Sequence, residues 1–270
     1  MPSTIRRAHH MPFGAQLTAA GAVRFRLWAP AARQVELVLY HGTGPQLITM
    51  PALDGGWFAR DTDLAQAGTL YRYRIDGELE VADPASRSNP RGVHGPSEVI
   101  DPGEFDWDDG AWRAPPWPSA VLYELHLGTF TPEGTYEAAG ARLEHLVRLG
   151  VSAIELMPLA AFPGQRGWGY DGVLQYAPHC SYGTPRQLKA LIAAAHRAGL
   201  AVLLDVVYNH FGPEGNYLHR YAPQFFTERH HTPRHKDRPI RSRCFTTIRT
   251  DIPPRCRATL AEWRARRSGS

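Results

Sequence analysis

The sequence predicts an all-β sandwich followed by a partial (β/α)8 TIM barrel of about three βα units, then an irregular basic tail. Three observations carry this. Short segments between residues 12 and 105 alternate apolar with polar residues, strand-like and helix-like segments alternate from residue 119, and Leu200–Val207 is a near-continuous apolar run. The first pattern suits strands with one buried face, and the last suits a parallel strand covered on both faces. The chain has 270 residues, 43% hydrophobic and 21% charged, enough for one large or two medium domains and well away from disordered or fibrous classes.

Val23–Trp28 alternates, and Val35–Tyr40 is a more buried run. Leu70–Ile75 alternates again, and Asp76-Gly77 supplies a two-residue hairpin turn into Glu78–Val81. Trp107–Pro118, rich in tryptophan and proline, reads as a connector with little regular structure, so the expected domains are 1–110, 119–232 and a tail, 233–270. Ala120–Leu127 is the first barrel strand. Ala139, Leu143, Leu146 and Val147 share one face of a helix predicted over 136–149, which Gly150 ends. Val151–Met157 is the second strand. Thr184 as N-cap, Pro185 at the first helical position and Gln187 as capping-box partner open the next helix, with Leu188, Leu191, Ile192 and Ala195 as its buried stripe. Leu200–Val207 is the third strand.

The net charge of +4 is unevenly spread. Residues 233–270 hold eleven Lys/Arg against three acids, a balance of +8, whereas residues 1–232 carry −4. Such a tail attracts phosphate without selectivity. It lacks the interleaved aromatics of a single-strand platform, having only Phe245 and Trp263, so no specific nucleic-acid partner is expected. Three cysteines, at 180, 244 and 256, make neither a disulfide framework nor a metal site. The opening residues lead into no signal-type apolar run, and no stretch approaches the roughly 20 apolar residues of a membrane span. The expectation is a cytoplasmic protein with no membrane partner.

In α/β barrels, functional groups gather at the C-terminal strand ends and in the loops that follow. Strand one ends in His126. Strand two leads into a loop of about 25 residues, Leu159 to Gly183, longer than ordinary connections. It holds Trp168, Tyr170 and Asp171, and strand three ends in Asp205-Val-Val-Tyr-Asn209-His210. His126, Trp168, Tyr170, Asp171, Asp205, Asn209 and His210 are the candidate substrate-binding residues, although each also has a plainer reading as a cap, a turn former or a packing corner. Glu124 and Glu155 lie inside strands and read as structural. No cofactor or metal is expected.

Asp205–His210 resembles the first signature region of the α-amylase superfamily, glycoside hydrolase family 13. Within it, Tyr123–Thr131, Gly167–Gly172, Tyr182–Pro185 and Phe211–Tyr217 together are most similar to the malto-oligosyltrehalose trehalohydrolases, and the amino-terminal sandwich is similar to the isoamylase-type domain; the resemblance spans residues 12–232. It implies a glycosidase of trehalose biosynthesis that takes a malto-oligosaccharide or malto-oligosyltrehalose and releases trehalose. It also implies that Tyr170 stacks on a glucose ring, His210 hydrogen-bonds that sugar, Asp205 braces an arginine of the site and Asn209 supports the loop. Branching enzymes, debranching enzymes and a non-catalytic α-glucan-binding module stay open as alternatives.

In that family the nucleophilic Asp and the acid Glu come after the third strand. A barrel of about 250 residues starting near residue 120 would run past about residue 370. Residues 233–270 show no helical or strand period and include ten arginines, as a shift of reading frame after about residue 232 would produce. Arg249-Thr-Asp251 mimics the nucleophile motif, but Pro253-Pro254 cannot continue a central strand. The expectation is therefore no catalytic residue in this chain, which by itself is inactive.

Overall fold

The computed structural model describes residues 5–6, 12–42 and 44–226; the predicted tail, 233–270, lies outside them. Before residue 110 run β1 (Ile5–Arg6), β2 (Gly14–Leu17), β3 (Val23–Trp28), β4 (Val35–His41), β5 (Gly44–Met50) and β6 (Ala52–Leu53). They are followed by β7 (Trp57–Thr62), β8 (Leu70–Ile75), β9 (Leu79–Val81), β10 (Ser97–Glu98) and β11 (Asp106–Trp107). Two antiparallel sheets form the sandwich, ordered β2-β3-β7-β6 and β10-β8-β4-β5, with β9 paired to β8 and the short β1 paired to β11.

The period-two pattern explains which side chains face inward. Val23, Phe25 and Leu27 of β3 and Val35, Leu37 and Leu39 of β4 are buried, and the rings of Phe25 and Tyr71 meet edge to face at 4.8 Å. The β8–β9 turn has positive φ at both Asp76 (52°) and Gly77 (76°), as a tight hairpin requires. Asp76 Oδ1 accepts from Arg33 N and Gln34 N, at 2.8 and 3.0 Å, which ties the turn to the start of β4.

The second half contains β12 (Leu122–Leu125), α1 (Leu127–Phe130), α2 (Tyr136–Gly140), α3 (Leu143–Arg148), β13 (Ala153–Leu156), β14 (Ala160–Ala161) and β15 (Leu174–Pro178). Then come α4 (Pro185–Arg197), β16 (Ala201–Leu204) and α5 (Leu218–Tyr221). Strands β12, β13 and β16 pair in parallel in that order, with Leu125, Leu156 and Leu204 in register. The strands are shorter than the apolar runs that signal them, because ladder pairing stops at these three leucines and the chain leaves for the loops.

The helix predicted over 136–149 is a correction. It breaks after Gly140, and Arg142 N bonds Ala139 O three residues back instead of continuing the α ladder. Glycine is a poor helix former, and a Cβ at Gly140 would stand 3.8 Å from Leu191 Cδ1 of α4, so the break falls where α2 meets α4. Leu125, Ile154 and Leu156 are buried with Leu143, Leu146, Leu191 and Ala195 on the helical side of the sheet.

The sandwich core also takes in a later stretch of chain. Phe211, Leu218, Tyr221 and Ala222 belong to the same buried cluster as Phe25, Leu37 and Tyr73, and Ala31 N donates to Tyr221 O at 3.0 Å. Among the described residues, no helix is long and apolar enough to cross a membrane.

Candidate functional site

The site lies where β12, β13 and β16 end. His126 follows β12, and its Nε2 is 2.8 Å from Gly167 O, a contact that requires the proton on Nε2. Thr129 Oγ1 stands 3.3 Å from Nδ1, where it can donate. His126 thus holds the long loop by its backbone at Gly167.

The loop does not run free between Leu159 and Gly183, because β14 and β15 pair within it as an antiparallel hairpin. His179 follows that hairpin, fully buried and stacked on Phe162 at 3.7 Å, and burial pushes its imidazole down to about 4. Gly169 has φ +93°, and a Cβ there would stand 2.6 Å from Pro158 O, so only glycine lets the chain cross Pro158 this closely. The flanking rings point outward: Trp168 is 78% exposed and Tyr170 47%.

A strap, residues 209–212, then crosses the loop. Asn209 Nδ2 donates to His210 Nδ1 at 2.8 Å, which leaves the proton on Nε2, and His210 Nε2 donates to Tyr170 O at 2.9 Å. Gly212 N donates to Gly172 O at 3.0 Å. A Cβ at Gly212 would come within 2.0 Å of Asp171 O, a backbone atom that cannot swing aside. Tyr170, Asp171, Asn209 and His210 are therefore brought into one cluster, with both ring nitrogens of His210 engaged inside the chain.

Asp205 sits at the end of β16, its N donating to Leu156 O at 2.9 Å. It lines a cavity of about 110 Å³ together with Pro158, Gly172, Tyr176, Val206 and Tyr208. Both tyrosines are about half exposed at the mouth of the cavity, Tyr176 at 51% and Tyr208 at 44%. Neither tyrosine was among the candidate substrate-binding residues, although Tyr208 lies within the Asp205–His210 motif; for Tyr176 the only signal was an aromatic residue in the long loop. Trp168 and His126 border the cluster through Gly167. Glu124 and Glu155 are in-register neighbours inside β12 and β13, away from the strand ends. Among the described residues, no three His, Cys, Asp or Glu side chains gather where they could hold a metal ion.

Residues 86–244 match the family model for the alpha amylase catalytic domain, and residues 12–90 match carbohydrate-binding module 48, the isoamylase N-terminal domain. The chain is 50% identical over 228 residues to a malto-oligosyltrehalose trehalohydrolase of Deinococcus radiodurans, covering 84% of this chain and 36% of the relative. A second such relative, from Saccharolobus solfataricus, is 49% identical over 224 residues, 83% of this chain and 39% of the relative. Among solved structures, a putative alpha amylase from Salmonella typhimurium superposes with a TM-score of 0.82 at 48% identity, over 90% of this chain and 39% of the other. The chain thus spans little more than a third of the length of these relatives.

Proposed function

Because the chain belongs to the family of the alpha amylase catalytic domain, we propose that it carries the sugar-binding front of an α-glucan glycosidase that releases trehalose from malto-oligosyltrehalose. The strap is the observation that carries this reading. It sets Tyr170, Asp171, Asn209 and His210 side by side at the C-terminal end of a parallel sheet, where barrel enzymes bind substrate.

In this reading Tyr170 offers its ring to the apolar face of the glucose beside the scissile bond, and the exposed Trp168 extends that wall. His210 meets the sugar with its Nε2–H shared between Tyr170 O and a hydroxyl, and Asn209 keeps its tautomer fixed. Asp171 borders the same sugar, His126 holds the loop behind it, and Asp205 braces an arginine of the complete site. Hydrolysis with retention needs two carboxylates about 5–5.5 Å apart, one attacking the anomeric carbon and the other protonating the leaving oxygen. We place both in the part of the relatives that the chain does not span, so the chain binds malto-oligosaccharide without turning it over. Sparse cysteine use supports a cytoplasmic setting.

Product analysis tests this. The 270-residue chain and a version extended to the relatives' full length are each given malto-oligosyltrehalose. Trehalose from the extended version alone is the expected result. Branch formation or α-1,6 cleavage would move the enzyme to the branching or debranching group, and turnover by the 270-residue chain would return attention to Asp251. The match of residues 12–90 to a carbohydrate-binding module favours one second reading, a non-catalytic α-glucan-binding role, which the same assay separates by the absence of product from the extended version as well.

A further inference from the structure

Phe211 stands between two residues that hold the Tyr170 loop, yet its own side chain belongs to the sandwich. His210 on one side bonds Tyr170 O, and Gly212 on the other bonds Gly172 O. The ring of Phe211 is buried in the cluster with Phe25, Leu37 and Tyr73, at 6.0 Å from the Phe225 ring and 6.1 Å from that of Phe226. Downstream, Leu218, Tyr221 and Ala222 enter the same core, so the chain beyond the strap is fixed as well. Gly215 presses against both halves at once: a Cβ there would stand 2.8 Å from Val93 Cγ2 and 3.2 Å from Val173 Cγ2. The His94–Glu214 pair spans the same joint at 2.8 Å, but both side chains are half exposed or more, and such surface pairs contribute little. The apolar anchor dominates.

We infer that Phe211 is a positioning residue: anchored in the sandwich core, it fixes His210 and Gly212 against Tyr170–Gly172, so the sandwich sets the geometry of the sugar-contacting cluster. The consequence for sugar rests on the function proposed above; the anchoring itself does not. Phe211 touches no reacting atom and acts only through its two neighbours.

The test uses the full 270-residue chain in three variants, Phe211→Ala, Phe211→Leu and Leu39→Ala, the last removing a buried side chain of the same core outside the strap. Two quantities are read: amide hydrogen exchange at Gly212, and maltoheptaose affinity followed by tryptophan fluorescence. Phe211→Ala is expected to speed Gly212 exchange by about tenfold or more through local opening and to weaken maltoheptaose binding in parallel. Phe211→Leu, which keeps an apolar filling, should restore most of both. Leu39→Ala should leave both near the parent values while lowering global stability. If Phe211→Ala does not fold, Phe211→Val is read in its place. Parent-like Gly212 exchange in the Phe211 variants, or equal acceleration in Leu39→Ala, would overturn the inference. Should the parent chain bind no maltoheptaose, the functional reading fails alone, and the exchange measurement still decides the role of Phe211.

Discussion

At Gly212 one missing carbon decides whether the loop and the strap can meet. Its Cβ position lies 2.0 Å from Asp171 O, so Gly212→Ala must push two backbone segments apart, at a cost of about 1–3 kcal/mol. Gly199 is the contrast: its φ is positive, at +80°, whereas that of Gly212 is not, and nothing lies within 4 Å of its Cβ position, so Gly199→Ala carries backbone strain of about 1–2 kcal/mol without any steric clash. Urea melts measure the two losses, and loss of the Gly212 exchange protection should accompany the first alone. His179 gives a prediction in pH. Burial holds its folded value at about 4 against an ordinary 6.5, so the native state favours the neutral ring while the unfolded chain takes up a proton below 6.5. Its contribution is complete above about pH 6.5 and is lost as pH falls towards 4, by up to about 3 kcal/mol. Asp83 acts with the opposite sign: burial holds its carboxyl above the ordinary range although Tyr71 Oη donates to it at 2.6 Å, so its charged form weakens the fold as pH rises. The readout is therefore the difference in slope between the parent and His179→Gln, and equal slopes would refute the assignment. Tyr170, Asn209 and His210 were legible in sequence because two short motifs, Gly167–Gly172 and Asp205–His210, carry them. Tyr208 and Phe211 also stand in quoted motifs, but what they pack against, like the surroundings of Tyr176, is assembled from segments far apart along the chain and was not legible.

Among elements, α4 is the one whose start is fully written in local sequence. Thr184 Oγ1 accepts from Gln187 N at 3.2 Å, and Gln187 Oε1 accepts from Thr184 N at 2.8 Å, a closed capping box with Pro185 inside it. Thr184→Ala should cost about 1 kcal/mol, read as a lowered thermal midpoint, and a neutral result would mean that packing alone holds the helix. The β8–β9 hairpin was equally legible, because Asp-Gly supplies the two positive φ angles directly. The β14–β15 hairpin was hidden: Ala160-Ala161 has weak strand preference, and its partner ends in Pro178, so only the surrounding packing makes the pair. The interruption between α2 and α3 escaped for a related reason, since the spacing of Ala139, Leu143 and Leu146 fits one continuous helix, and it is Gly140 beside Leu191 that marks the break.

For the molecule as a whole, the parallel sheet is the exposed part. Among the described residues β12 and β16 each pair on one side only, and Val121, Leu122, Leu204 and Tyr208 remain exposed around them. Open edges beside apolar surface favour association. Light scattering of the 270-residue chain should rise with concentration, and Leu122→Lys with Leu204→Lys should suppress it; unchanged scattering in the double variant would place the contact elsewhere. The sharing of the sandwich core with residues 211–222 has a further consequence, for the order of events during synthesis. Strands β2 to β10 leave the ribosome long before Phe211, Leu218, Tyr221 and Ala222 do, and until those residues emerge the amino-terminal half lacks part of its interior. Domains commonly fold as they are made, the first one first. Here the first must wait for residues 211–222, which follow the third parallel strand, a non-local closure of the kind that slows folding. Nascent chains arrested before residue 211 should remain sensitive to protease within the sandwich, and those released beyond residue 226 should not.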